Sequence, residues 1–319
     1  MAARPQTLLT FRLPSTNRLI SWAEFGSQNG RPLIFLHGTP SSRLECAEFH
    51  QELHDRNIRL IAPDRPGFGR SEFLPGGTIG GYYHDIQALA KHLSLAEYTV
   101  MGGSGGGPYA LACARHIRRE DGLQAVSVFA GMAPYECGLL DVNWNTAIGF
   151  YLINWMPSLL RFLLRFSLPI AKGNLTGPKE QWTLDPSVQE EAKKKLAAYI
   201  KGLKGRDKEV MSKPGALDHL AATVAESNIQ GLDGYMHEAK LFAQPWDFKL
   251  EDITFNSEGK RPILLVYGTD DVNTTIHMGR WIAERVAGSQ LQEVKGETHF
   301  TLGDRFVDYC DEFLRMHEA

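Results

Sequence analysis

Cysteine is scarce in this chain. Cys46, Cys113, Cys137 and Cys310 are scattered over 319 positions, and none has the spacing of a metal site. That excludes a disulfide scaffold and a zinc cluster, and reduced thiols fit an expected cytoplasmic location. Surplus charge is also lacking. Lys plus Arg number 34 against 37 Asp plus Glu, a net charge of -3. The run Lys193-Lys194-Lys195 stands beside Glu190 and Glu191 and reads as a solvated helix face, so nucleic acid is not an expected partner. No apolar run is long enough for a membrane span. The most apolar stretch, residues 148–170, is broken by Pro157, Arg161 and Arg165. It reads as a pair of amphipathic helices, buried in preference to lying on a membrane. The opening Met1-Ala2-Ala3-Arg4-Pro5-Gln6 has no apolar stretch of the kind a signal peptide needs. A dinucleotide fingerprint, internal repeats and low-complexity segments are missing too. No metal or cofactor is expected.

What the chain has is alternation. Short apolar runs at residues 33–36, 58–62, 98–101, 125–130 and 262–267 predict strands buried on both faces. Residues 8–13 and 19–25 alternate partly, as antiparallel edge strands do, and 291–294 predicts a last short strand. Helices are predicted over 42–56, 80–93, 109–117, 275–287 and 304–316. This order implies an α/β fold, a mostly parallel sheet of about eight strands with helices on both faces. Residues 135–254 interrupt it with helical stretches at 141–156, 158–166, 188–202 and 217–242, and with no clear strand. The expected organisation is a core of residues 1–134 and 255–319 with a helical cap, 135–254, roofing the crevice at the strands' C-terminal ends.

Four segments, each after a predicted strand, carry candidate chemistry. Gly102-x-Ser104-x-Gly106 links a strand to a helix, a spacing that lifts a serine hydroxyl toward a helix N-terminus. His299 follows the last strand in Gly296-Glu297-Thr298-His299-Phe300 and reads as a loop residue before the final helix. Asp270 and Asp271 follow the strand at 262–267; only one of two adjacent side chains can face the histidine, and either can instead serve as a turn or N-cap residue. His37-Gly38-Thr39-Pro40 follows the strand at 33–36. Serine acyl transfer needs a base, an acid that orients it and N–H donors for an oxyanion. The N–H groups of Thr39 and Gly105 are the candidate donors; Pro40 has none. His37 is better read as bracing its loop.

Together these segments resemble the α/β-hydrolase fold superfamily, over about residues 8–135 and 255–319. The resemblance implies Ser104 as nucleophile, Asp271 as acid, His299 as base, and Thr39 and Gly105 as the oxyanion hole. Asp64-Arg65-Pro66-Gly67-Phe68-Gly69-Arg70-Ser71 looks like the family's structural D-x-x-G-x-G-x-S loop, and Trp246-Asp247-Phe248 looks like a cap exit. Gly38-Thr39-Pro40 departs from the H-G-G-G and H-G-G-P-G forms of lipases and proline iminopeptidases. A serine nucleophile disfavours epoxide hydrolases and haloalkane dehalogenases, which use aspartate.

The reading implied is a cofactor-free serine hydrolase acting on an ester or related acyl bond of a medium-sized, largely apolar small molecule. Trp144, Phe150, Tyr151, Trp155, Met156, Phe162 and Phe166 are expected mostly as cap core, with a remainder lining a pocket. The alternatives are a C–C bond hydrolase, lyase or cyclase using the same site, and a small-molecule receptor with a vestigial triad. Oligomeric state is left open.

Overall fold

Buried aliphatic runs build the centre of the sheet, and their alternate residues serve opposite faces. In β3 (Arg31–Leu36), Leu33 and Phe35 join one core while Ile34 and Leu36 join the other. In β7 (Ile263–Gly268), Leu264 and Val266 face one way, and Ile263, Leu265 and Tyr267 the other. Each such Leu or Ile, fully buried, contributes about 1.5–3 kcal/mol relative to exposure. The remaining strands are β1 (Gln6–Arg12), β2 (Leu19–Gly26), β4 (Ile58–Pro63), β5 (Tyr98–Gly103), β6 (Leu123–Phe129) and β8 (Gln290–Val294). The eight run in the order β1-β2-β4-β3-β5-β6-β7-β8. Within this sheet, only β1–β2 and β2–β4 pair antiparallel. The α/β architecture expected from the sequence is the one observed. The computed structural model describes residues 4–169, 171, 173–254 and 262–318. The expected return to the core at residue 255, the first three residues and Ile170 of the apolar stretch lie outside them.

One face of the sheet is covered by α2 (Tyr83–His92), α3 (Gly107–His116) and α10 (Ile276–Ala283). The other is covered by α1 (His50–Asp55) and α12 (Phe306–Glu318). Where a helix was predicted over 42–56, only α1 and a 3-10 turn at Ala47–Phe49 form. Ser42, Arg43 and Glu45 instead point their polar groups at other segments.

Between β6 and β7 the chain makes α4 (Trp144–Trp155), α5 (Pro157–Ser167), α6 (Pro186–Gly202), α7 (Gly205–Met211), α8 (Ala216–Ser227) and α9 (Asp233–Phe242). The single helix predicted over 217–242 is two, broken near Gly231, whose φ is +89°. A two-residue ladder, Gly173–Asn174 with Thr183–Leu184, stands where no strand was expected. Among the described residues no helix is long and apolar enough to cross a membrane.

Buried charges hold this insertion to the sheet's loops. Glu226 of α8 accepts from Arg70 Nε at 2.7 Å and pairs with Arg43 at 2.8 Å. Arg43 also pairs with the fully buried Asp64 at 2.9 Å. Glu238 of α9 pairs with Arg65 at 2.6 Å, both almost wholly buried. Removing one member of such a pair strands the other and costs about 3–5 kcal/mol.

Candidate active site

Ser104 is where β5 ends. Its φ is +51°, the left-handed region, and it opens a 3-10 turn, Ser104–Gly106, that runs straight into α3. The turn is this tight because its glycines leave room for backbone. A Cβ at Gly102 would come 2.9 Å from Ala110 Cβ, and one at Gly106 would overlap the Leu36 carbonyl. The first N–H groups of the turn have no partner within the helix and carry its positive end.

His299 is not a loop residue. It is the first residue of α11 (His299–Gly303), capped by Thr298 in a reciprocal arrangement with Thr301. Thr301 N donates to Thr298 Oγ1 at 3.2 Å, and Thr298 N donates to Thr301 Oγ1 at 2.8 Å. That cap fixes the ring's backbone. Thr298 Oγ1 also donates to Asp207 of α7, so the insertion touches the segment carrying His299.

Of the two adjacent acids, Asp271 meets the histidine. Its Oδ2 lies 2.7 Å from His299 Nδ1, and its side chain is fully buried. The turn reading of this residue holds at the same time. Asn273 N and Thr274 N donate to its Oδ1 at 2.7 and 3.0 Å, and Thr274 Oγ1 donates to Oδ2 at 2.9 Å. Asp270 is exposed and accepts from Thr269 Oγ1 instead. Burial pushes the Asp271 carboxyl up, but the His299 charge, its hydrogen bond and the two N–H donors outweigh that and hold it below its ordinary value. Burial lowers His299, and the Asp271 charge and bond overcome it, leaving the ring above its ordinary value. With Nδ1–H donating to Asp271, Nε2 carries the lone pair and is the basic atom.

Thr39 and Gly105 are in contact, since a Cβ on Gly105 would overlap the Thr39 hydroxyl and reach within 3.0 Å of Thr39 Cβ. Thr39 Oγ1 donates to Glu238 and accepts from Arg65 Nη2 at 2.8 Å, so α9 holds it in place. His37 braces this loop: its Nδ1–H donates to the Gly38 carbonyl at 2.8 Å and its Nε2 accepts from Arg65 N at 3.1 Å. Burial and the neighbouring Arg65 keep it well below the ordinary histidine value, hence neutral. Asp64 likewise ties its loop to the neighbouring segments, accepting from Ser21 Oγ at 2.6 Å, Arg43 N at 2.7 Å and Arg70 N at 3.1 Å.

Glu45 escaped the sequence reading. Gly38 N donates to its Oε2 at 2.7 Å, and a Cβ at Gly38 would come 3.3 Å from Ser104 Cβ. Burial pushes its carboxyl up against the lowering pull of the Gly38 N–H, Arg65 and His299. Glu238 and Thr274 were missed as well. Their partners lie far along the chain or belong to a turn, so the only available signal was a polar residue in a region read as helix or loop. A cavity of about 40 Å³ lies at the insertion, lined by Arg65, Tyr109 and Glu238 and not by Ser104, Asp271 or His299.

Residues 33–312 match the profile of the Alpha/beta hydrolase family. The chain is 33% identical over 116 residues to a proline iminopeptidase of Neisseria gonorrhoeae, covering 34% of this chain and 36% of that protein. It is 35% identical over 128 residues to a non-heme haloperoxidase of Rhodococcus erythropolis, covering 40% of this chain and 45% of that protein. The chain thus spans less than half the length of either. An esterase from Exiguobacterium antarcticum superposes with a TM-score of 0.63 at 16% identity, covering 97% of this chain and 99% of the other.

Proposed function

We propose that this chain, which belongs to the alpha/beta hydrolase family, is a serine hydrolase cleaving an ester or related acyl bond of a medium-sized, largely apolar small molecule. The observation that carries the reading is the 2.7 Å contact of His299 Nδ1 with buried Asp271, taken together with a serine held at φ +51° on a strand-to-helix turn. His299 Nε2 takes the Ser104 proton as the hydroxyl attacks the substrate carbonyl. The Thr39 and Gly105 N–H groups receive the oxyanion, each contributing about 2.7–4 kcal/mol to the barrier's lowering. His299 then protonates the leaving group, and water, deprotonated by the same ring, releases the acid from Ser104. Asp271 holds the tautomer and stabilises the imidazolium. The balance needs only water, so no cofactor enters. The insertion roofs the site in this reading, supported by the bonds of α7 to Thr298 and α9 to Thr39.

A peptidase acting on N-terminal proline, the activity in the Neisseria relative's name, has to hold a free secondary amine. Glu238 is already engaged by Arg65 and Thr39, and Glu45 by Gly38, which favours an uncharged ester. The test is incubation with a fluorophosphonate probe, read by intact mass beside Ser104→Ala. One adduct on the wild type and none on the variant is expected. A folded wild-type protein that takes no adduct overturns the reading.

A further inference from the structure

Of the aromatic residues expected in the insertion's core, Phe150 packs against it, but most of the others lie outside it. On α4, Trp144, Tyr151 and Trp155 are 70%, 60% and 74% exposed, and Ile148 lies in the same stripe. Their spacing of four, three and four residues keeps them on one side of the helix. On α5, Phe162 and Phe166 are exposed in the same way. The opposite sides of both helices are satisfied: Leu152, Ile153 and Leu160 form a small core with Ala243. The outward stripe is therefore surplus to folding, and soluble surfaces seldom carry one this aromatic.

Charge selects the occupant. The chain as a whole is negative, yet residues 142–171 contain no Asp or Glu; of the two α5 charges, Arg161 pairs with Asp233 of α9, and Arg165 is exposed. They sit on the strip of helix next to Phe162 and Phe166. Trp, Phe and Leu on one side with arginines beside them is the pattern of a helix lying in the headgroup layer of an anionic bilayer. The hairpin is also tied to the site: Asn143, the N-cap of α4, donates from Nδ2 to Val272 O at 3.1 Å and to Asn273 Oδ1 at 2.8 Å, one and two residues beyond Asp271.

We propose that the α4–α5 hairpin is a docking surface for an anionic phospholipid membrane, seating the chain on the bilayer without crossing it. The binding stands independently of the proposed reaction.

The full chain, as Ser104→Ala so that no lipid is consumed, is floated with phosphatidylcholine vesicles containing about one-third phosphatidylserine. The protein is expected to float with them, and less with pure phosphatidylcholine. The exposed triple variant Trp155→Ser/Phe162→Ser/Phe166→Ser should lose more than about tenfold in partition at an unchanged melting temperature. Arg165→Glu, a single exposed change, should weaken binding to the anionic vesicles severalfold and leave the neutral ones unaffected. Protein that stays unbound with both vesicles overturns the proposal. So does a triple variant that floats like its parent, or a wild type that forms a dimer lost in the triple variant while ignoring vesicles.

Discussion

Asp271→Asn perturbs the site at its most specific contact. Asparagine fills the same volume, and its amide oxygen can keep the Asn273 and Thr274 N–H bonds to Oδ1. The NH2 then falls where Oδ2 was, facing His299 Nδ1 at 2.7 Å and a Thr274 hydroxyl that now donates there. Two donors cannot meet, so the ring proton moves to Nε2 and the basic atom is turned away from Ser104. The imidazolium also loses its counter-charge. A wrong tautomer of this kind costs about 10³- to 10⁴-fold in kcat, or about 4–5.5 kcal/mol. The pH profile should shift as well. A protonated ring is inactive, and Asp271 is what lifts His299 above its ordinary value against burial. In the wild type, activity therefore falls on acidification through a pKa above that value. In the variant, burial is opposed by Glu45 and Asp207 without the larger pull of Asp271, and the acid limb moves down. The assay is p-nitrophenyl acetate turnover and fluorophosphonate labelling rate across about pH 5–9, with Asp270→Asn alongside and expected near wild type. A variant that keeps a tenth of the activity with an unmoved acid limb refutes the reasoning, as does an equal loss from Asp270→Asn.

Other expectations can be checked with the same protein. Gly105→Ala drives a Cβ into Thr39 and should lower ester turnover by about a hundredfold, with the circular dichroism spectrum unchanged. Glu45→Gln keeps an acceptor for Gly38 N but removes a charge that raises His299, so the acid limb should move down by less than in Asp271→Asn, with kcat within about tenfold. Glu226→Ala leaves Arg43 and Arg70 without their shared carboxylate and should cost about 3–5 kcal/mol, a drop of roughly 5 °C or more in calorimetric Tm; a shift under about 1 °C would show that the insertion is held by other contacts.

The sheet was legible because strands buried on both faces have to be mostly apolar, and the runs ending before Thr39, Ser104 and Asp270 are. Ser104 was legible from the glycines that a crowded turn demands. The aromatic stripe of α4 was misread because periodicity reports that a helix has two sides and not which one is covered. Residues 42–56 were read as helix because the pattern cannot show that Arg43 and Glu45 have partners at Asp64 and Gly38. Glu238 was invisible for a similar reason: Thr39 lies 199 residues away. His299 became a helix residue through a Thr-x-x-Thr cap, a weaker signal than the usual Ser/Thr-x-x-Glu.

The backbone at Ser104 has a meaning for drift. Among the described residues, six other than glycine have positive φ, and three of them, Asn17, Asn57 and Asp141, are types whose side chains ease that conformation. Ser104 gets no such relief, and a serine there costs about 1–2 kcal/mol relative to glycine. Substitution by glycine would therefore be rewarded with stability for erasing the hydroxyl. A pocket that only bound its ligand would have nothing to set against that gain.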